Sequence, residues 1–154
     1  TRLEIRFRGS CSMNTITLAP TKTFASVEAG WELPALSVPI TATLITATAI
    51  ATRDYENVHH DLEATRKLGS PHIFMNILTT NGFCQRFIEE AFGPECVFKD
   101  LKIKLGAPNY VGDTMKLTGS VTATDAATKT VQIALKGSNS MGSHVTGTAT
   151  IQLP

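Results

Sequence analysis

From about Ile73 to Phe92 the apolar residues Ile73, Ile77, Leu78, Phe83, Phe87, Ile88 and Phe92 recur at close to helical spacing, and Gly93-Pro94 ends the run. A helix with this much apolar surface has to be largely buried. The C-terminal part of the chain can cover it: Cys96 to Leu105, Thr114 to Thr124, Thr130 to Lys136 and Ser143 to Leu153 each show roughly period-two patterning. Breakers at Gly106-Ala107-Pro108, Asp125-Ala126-Ala127 and Gly137 to Gly142 separate them, and such short connections predict antiparallel neighbours in a four-stranded meander. One long helix ahead of such a sheet is an α+β layout, and the simplest packing wraps an antiparallel sheet around the helix.

The chain ahead of the helix is less regular. Lys22 to Pro39 mixes polar residues with Gly30, Pro34 and Pro39, so it reads as an extended arm with one or two short strands. Thr41 to Arg53 is rich in threonine, which suits a strand, yet Leu44, Ala47 and Ala51 fit a helical stripe, and a helix is favoured. Leu62 to Leu68 reads as one or two helical turns, with Asp61 placed to cap the first free N–H groups and Gly69 placed to stop the helix.

With 154 residues, 42% of them hydrophobic, the chain has material for one modest core, and a single domain over 13–154 is expected. The opening residues, Thr1 to Ser12, hold three arginines, lack the apolar run of a secretory signal and precede Met13. They read as a leader added for expression, with Met13 as the natural start. A formal net charge of +1 and no dense Lys/Arg block argue against a nucleic-acid partner. The most apolar stretch, Ile40 to Thr52, is shorter than the roughly 20 residues needed to span a bilayer, so no membrane partner is expected. Cys11, Cys84 and Cys96 are odd in number and show no Cys-x-x-Cys spacing, which fits neither a disulfide framework nor a structural zinc site and suits a reducing, cytoplasmic setting.

The segment that promises chemistry is Asp54-Tyr55-Glu56-Asn57-Val58-His59-His60-Asp61, where a carboxylate precedes an imidazole by five residues in a turn-like stretch. Such a pair can exchange proton roles near neutral pH. Other readings compete. Asp serves many turns, and His59 and His60 could be two partly exposed rings. A His-His-Asp metal site is disfavoured, because consecutive side chains in extended backbone diverge.

The segment resembles the MaoC-like hydratases of the hot-dog fold. Their motif runs Asp-x-Asn-Pro-x-His-x-Asp just before the central helix, and Asp54, His59 and Asp61 fall at the matching offsets, with Glu56-Asn57 in place of Asn-Pro. A closer likeness spans almost all of 51–153. The phrases Ala51-Thr52-Arg53-Asp54, Val58-His59-His60-Asp61, Ile73-Phe74-Met75-Asn76-Ile77-Leu78-Thr79 and Gly142-Ser143-His144-Val145-Thr146 resemble the small catalytic subunits of heteromeric enoyl-CoA hydratases in bacterial steroid side-chain breakdown.

The resemblance implies a hot-dog domain that hydrates a trans-2-enoyl-CoA to a 3-hydroxyacyl-CoA by syn addition of water, with a bulky, steroid-type acyl group. Asp54 and His59 match the pair that holds the water. No metal and no cofactor is implied, coenzyme A being part of the substrate. Charge on the thioester oxygen needs backbone N–H groups at a helix start; with the helix starting at Ile73, Met75-Asn76 stands where the family commonly has His-Gly, and Asn76 is the candidate donor. Hot-dog domains pair edge to edge, so the resemblance further implies a dimer, either with a larger, non-identical MaoC-like subunit or with a second copy. An acyl-CoA thioesterase on the same fold is one rival reading. A non-catalytic acyl-CoA-binding subunit is the other, and the presence of both Asp54 and His59 argues against it.

Four further features have readings of their own. Gly82, inside the main helix, marks close helix-to-sheet packing or a substrate passage, with packing preferred. Cys84 reads as a small buried hydrophobe rather than a nucleophile. His144 reads as a surface residue, and Gly112-Asp113-Thr114 as a structural turn.

Overall fold

The computed structural model describes residues 20–154; Cys11, Met13 and the proposed leader lie outside them. Five strands form one antiparallel sheet: β1 (Leu36–Pro39), β2 (Val97–Leu105), β3 (Thr114–Asp125), β4 (Thr130–Asn139) and β5 (Gly142–Gln152). Three α-helices, α1 (Ala42–Ala51), α2 (Leu62–Lys67) and α3 (Ile77–Phe92), lie between β1 and β2 in the chain.

The strand order β1-β3-β4-β5-β2 corrects the expected meander. The β3-β4-β5 portion is one, but β2 crosses to the far side and pairs with β5, while β1, from the extended arm, fills the place beside β3. Alternation explains why the strands form and hides how they are ordered, because each needs only an apolar inner face. Along β3 and β4 the inward residues Met115, Leu117, Val131, Ile133 and Leu135 are all buried. Across that face lies α3, presenting Cys84, Phe87, Ile88 and Phe92, none more than 1% exposed. Gly119 makes room for it: a Cβ there would stand 2.7 Å from the Ala134 carbonyl and 3.2 Å from the Phe87 ring. The sheet therefore wraps the helix, as the patterning predicts.

The main helix begins later than its apolar period suggests. Residues 73–76 are extended and held by tertiary partners: the Phe74 N–H donates to Val58 O (3.2 Å) and the Met75 N–H to Asn109 O (3.0 Å). Asn76 then caps α3, its side-chain oxygen accepting from the Thr79 N–H at 2.9 Å.

The threonine-rich run does form a helix. Thr41 caps α1 by accepting from the Leu44 N–H (3.0 Å), while Thr48 and Thr52 hydroxyls donate back to the carbonyls of Leu44 and Thr48 (2.7 and 2.8 Å). Internal bonding of this kind lets threonines sit in a helix with few outside partners. The expected stripe is displaced, however: Ile45 and Ala49 point inward, and Ala47 and Ala51 are exposed. Downstream, α2 is capped by Asp61 (2.9 Å to the Ala64 N–H) and followed by Gly69 at φ +89°, as expected. Among the described residues no helix is long and apolar enough to cross a membrane.

Candidate active site

Asp54 and His59 are brought together by two turns. At the end of α1, Arg53 takes a left-handed conformation (φ 56°) that reverses the chain, and the Asp54 N–H is secured to Ala49 O at 2.9 Å. A 3₁₀ turn, Asn57–His59, then folds the imidazole back, so that Asp54 Oδ2 lies 3.4 Å from His59 Nε2. The histidine side chain is 8% exposed and the aspartate 22%, so the pair is set into the protein with its carboxylate open to solvent.

The ring is fixed through its other nitrogen. His59 Nδ1 lies 2.7 Å from Phe74 O, and because a carbonyl only accepts, Nδ1 carries the hydrogen. The edge of Phe74 packs against the ring, with centroids 5.4 Å apart. In the neutral ring Nε2 is therefore an acceptor, facing a carboxylate oxygen that is an acceptor as well. A water donating one hydrogen to each would complete that arrangement, placed where either group can take its proton. The late start of α3 makes the pinning possible, since a helical Phe74 would spend its carbonyl on the N–H four residues on.

Met75 is not available as an oxyanion donor. Its N–H is occupied by Asn109 O, and its side chain is buried in the core at 3% exposure. Asn76 is placed differently. Its backbone N–H meets no acceptor among the described residues, and those of Ile77 and Leu78 share the same helix start. Its side chain does more than cap: Nδ2 donates to Asp54 Oδ2 and to Thr52 Oγ1, both at 2.9 Å.

The remaining candidates separate. A Cβ at Gly82 would meet nothing within 4 Å, which corrects the packing reading; the residue instead lines a groove between α1 and α3 with Thr48, Ala51, Thr52, Leu78 and Phe83. Cys84 is fully buried, and burial pushes its thiol up to about 11, so it stays protonated. His60 is exposed, Asp61 serves α2, and Asp113 accepts from Thr114 and Ser140 in a turn. Among the described residues no cluster of three or more His, Cys, Asp or Glu is placed to hold a metal. His144 is not on the surface: it is 2% exposed, with Nδ1 donating to Ala107 O (2.6 Å) and Nε2 accepting from the Thr80 hydroxyl (2.9 Å).

The sequence reading missed two contributors, the Phe74 carbonyl and Thr52. A backbone carbonyl leaves no trace in residue identity. Thr52 lies within a phrase shared with the hydratase subunits, so a signal existed, but its role depends on Asn76 arriving from a helix 24 residues on.

Comparison with known proteins gives the family. The chain is 40% identical over 124 residues to the 3-oxo-4,17-pregnadiene-20-carboxyl-CoA hydratase beta subunit of Mycobacterium tuberculosis, a match spanning 80% of this chain and 95% of that protein. It is similar to a chain in the crystal structure of the ChsH1-ChsH2 complex from M. tuberculosis, with TM-score 0.79 and 37% identity over 82% of this chain and 98% of that one. Two solved structures share the fold at 20% identity: an (R)-hydratase from A. caviae (TM-score 0.78, covering 84% of this chain and 98% of that one) and a MaoC-like dehydratase (TM-score 0.81, covering 87% and 43%). No family model matches the chain. On the extent and identity of these matches, the chain belongs to the MaoC-like hydratases of the hot-dog fold.

Proposed function

We propose that this chain is the catalytic subunit of an enoyl-CoA hydratase, adding water to a trans-2-enoyl-CoA that carries a bulky, steroid-type acyl group. The observation that carries the reading is the 3.4 Å approach of His59 Nε2 to Asp54 Oδ2 beside the uncommitted N–H groups that open α3. A water held between the two side chains gives up a proton to the pair as its oxygen bonds to the β-carbon. The pair returns one proton to the α-carbon on the same face, so its total protonation is unchanged. The negative charge that builds on the thioester oxygen is met by the Asn76 N–H, with the positive end of the helix behind it. Coenzyme A is part of the substrate, and no further cofactor enters.

The acyl class rests on the relative whose name states a pregnadiene-carboxyl-CoA substrate. The groove at Gly82 supports it, being largely apolar and lined by Thr52, whose hydroxyl accepts from Asn76. Pairing with a larger MaoC-like subunit is supported by the likeness to a two-component complex, and by β2, which among the described residues is paired on one edge only.

The test is to incubate the chain, alone and with its candidate partner, with straight-chain and steroid enoyl-CoAs while following loss of the conjugated double bond. Hydration without release of free CoA thiol is expected, and stoichiometric thiol release would establish a thioesterase instead. Wild-type hydration in both D54A and H59A would overturn the assignment of the pair.

A further inference from the structure

We propose that Asn76 is a positioning residue for Asp54, its side-chain amide holding the carboxylate against His59. The proposal rests on the reading of Asp54 and His59 as the hydrating pair.

The orientation of the amide is set by its neighbours. The atom facing the Thr79 N–H at 2.9 Å must be the oxygen, because an N–H only donates. The NH₂ group therefore points the other way, and its two hydrogens go to Asp54 Oδ2 and Thr52 Oγ1, each at 2.9 Å. Asn76 is 3% exposed, so these bonds form away from competing water. The carboxylate is thus gripped at Oδ2 from one side by Asn76 and faced from the other by His59, while Oδ1 meets no donor among the described residues. Oδ1 and the unused lone pair of Oδ2 are left for the water and the travelling proton.

Capping alone does not account for asparagine here. Ser, Thr, Asp and Asn all supply the oxygen that a helix start needs. Aspartate has no donor and would set a second negative charge against Asp54. Serine and threonine must use one oxygen for both tasks and reach less far. Asparagine alone among them joins an acceptor for the cap to a separate donor for the carboxylate. It thereby ties the position of the acid to the same helix start whose N–H groups face the thioester oxygen.

The experiment compares N76S, N76D and N76A with the wild type in the assembly that shows hydration, using but-2-enoyl-CoA and a steroid enoyl-CoA. N76S keeps a cap oxygen, so its melting temperature should stay within a few degrees of wild type, while N76D keeps the oxygen but sets a carboxylate against Asp54 and should melt lower near neutral pH. Their kcat should fall about 10- to 100-fold from a misplaced carboxylate. KM should change by less than about 3-fold, the pattern for a contact that matters to the transition state alone. N76D should also lose activity at a higher pH on the acid side of its profile, since two facing carboxylates resist joint ionisation. N76A should match N76S in kcat and melt lower.

Wild-type kcat in N76S would overturn the proposal, as would a loss that merely tracks the folded fraction. If N76S does not fold, N76D decides on the same criteria. D54A separates the two readings. Loss of hydration in D54A beside full activity in N76S removes the positioning role alone, whereas full activity in D54A and H59A removes the hydratase assignment itself.

Discussion

Two buried histidines in this molecule are held in the same way at one nitrogen and differ at the other. His59 and His144 each donate from Nδ1 to a backbone carbonyl, Phe74 O at 2.7 Å and Ala107 O at 2.6 Å, so each neutral ring has the same tautomer with Nε2 as acceptor. At His59 that acceptor faces a partly exposed carboxylate at 3.4 Å. At His144 it is satisfied by the Thr80 hydroxyl at 2.9 Å, sealed beneath α3. Burial and a fixed tautomer therefore do not by themselves distinguish the proposed base from a structural ring. An Nε2 left unsatisfied by the protein and set beside an ionisable partner leaves room for a water; an Nε2 filled by a hydroxyl makes the ring a strut between α3 and the segment after β2.

The contrast between the two rings breaks first at its largest expected effect. H59A and D54A should each lower kcat per folded molecule by about 10²- to 10⁴-fold, the range for loss of a general acid or base, and H59A should also melt lower because it orphans the Phe74 carbonyl. H144A should spare the rate. Removing the ring orphans the Ala107 carbonyl and leaves a buried gap beside Thr80, so the fold should lose about 2 to 4 kcal/mol in chemical denaturation while kcat per folded molecule stays near wild type. A large fall in kcat with stability intact would instead place His144 in the reaction. T80V keeps the ring and removes the hydroxyl that faces Nε2 and the Asn76 carbonyl, and should destabilise by a smaller amount, about 1 to 2 kcal/mol.

His144 should also make stability depend on pH. Burial holds the His144 imidazole below its ordinary 6.5, with the bond to Ala107 pulling weakly the other way. The folded state then resists a proton that the unfolded chain accepts, so stability falls as pH drops below about 6.5 and levels off once the depressed folded value is passed. Melting temperature against pH should show this slope in the wild type, reduced in H144A. The smallest effect calibrates α3 itself: Gly82 meets neither ring, and G82A should stabilise the fold by about 0.5 to 1 kcal/mol. A destabilised G82A would reinstate the packing role that the open space around it denies.

Much of the fold was legible because it depends on local periodicity. The alternation in β2 to β5, the apolar stripe of α3, the Asp61 cap and the Gly69 stop all operate within a few residues. Strand order was not legible, since β2 needs an apolar inner face wherever it sits. The start of α3 was misplaced because Ile73 continues the apolar period, while its extended backbone is fixed by Val58 and Asn109 from elsewhere in the chain. His144 was misread for a related reason: a histidine near a strand end looks solvated until a helix is laid over it.

The sequence by itself determined that an acid and an imidazole sit five residues apart ahead of a long buried helix, since that depends on residue identity and short-range pattern. Only the tertiary structure decided which atoms meet. The His59 tautomer, the orientation of the Asn76 amide and the sealing of His144 each depend on a backbone carbonyl, N–H or hydroxyl delivered by a distant segment, and hydrogen bonds a few ångströms long are fixed only when those segments pack.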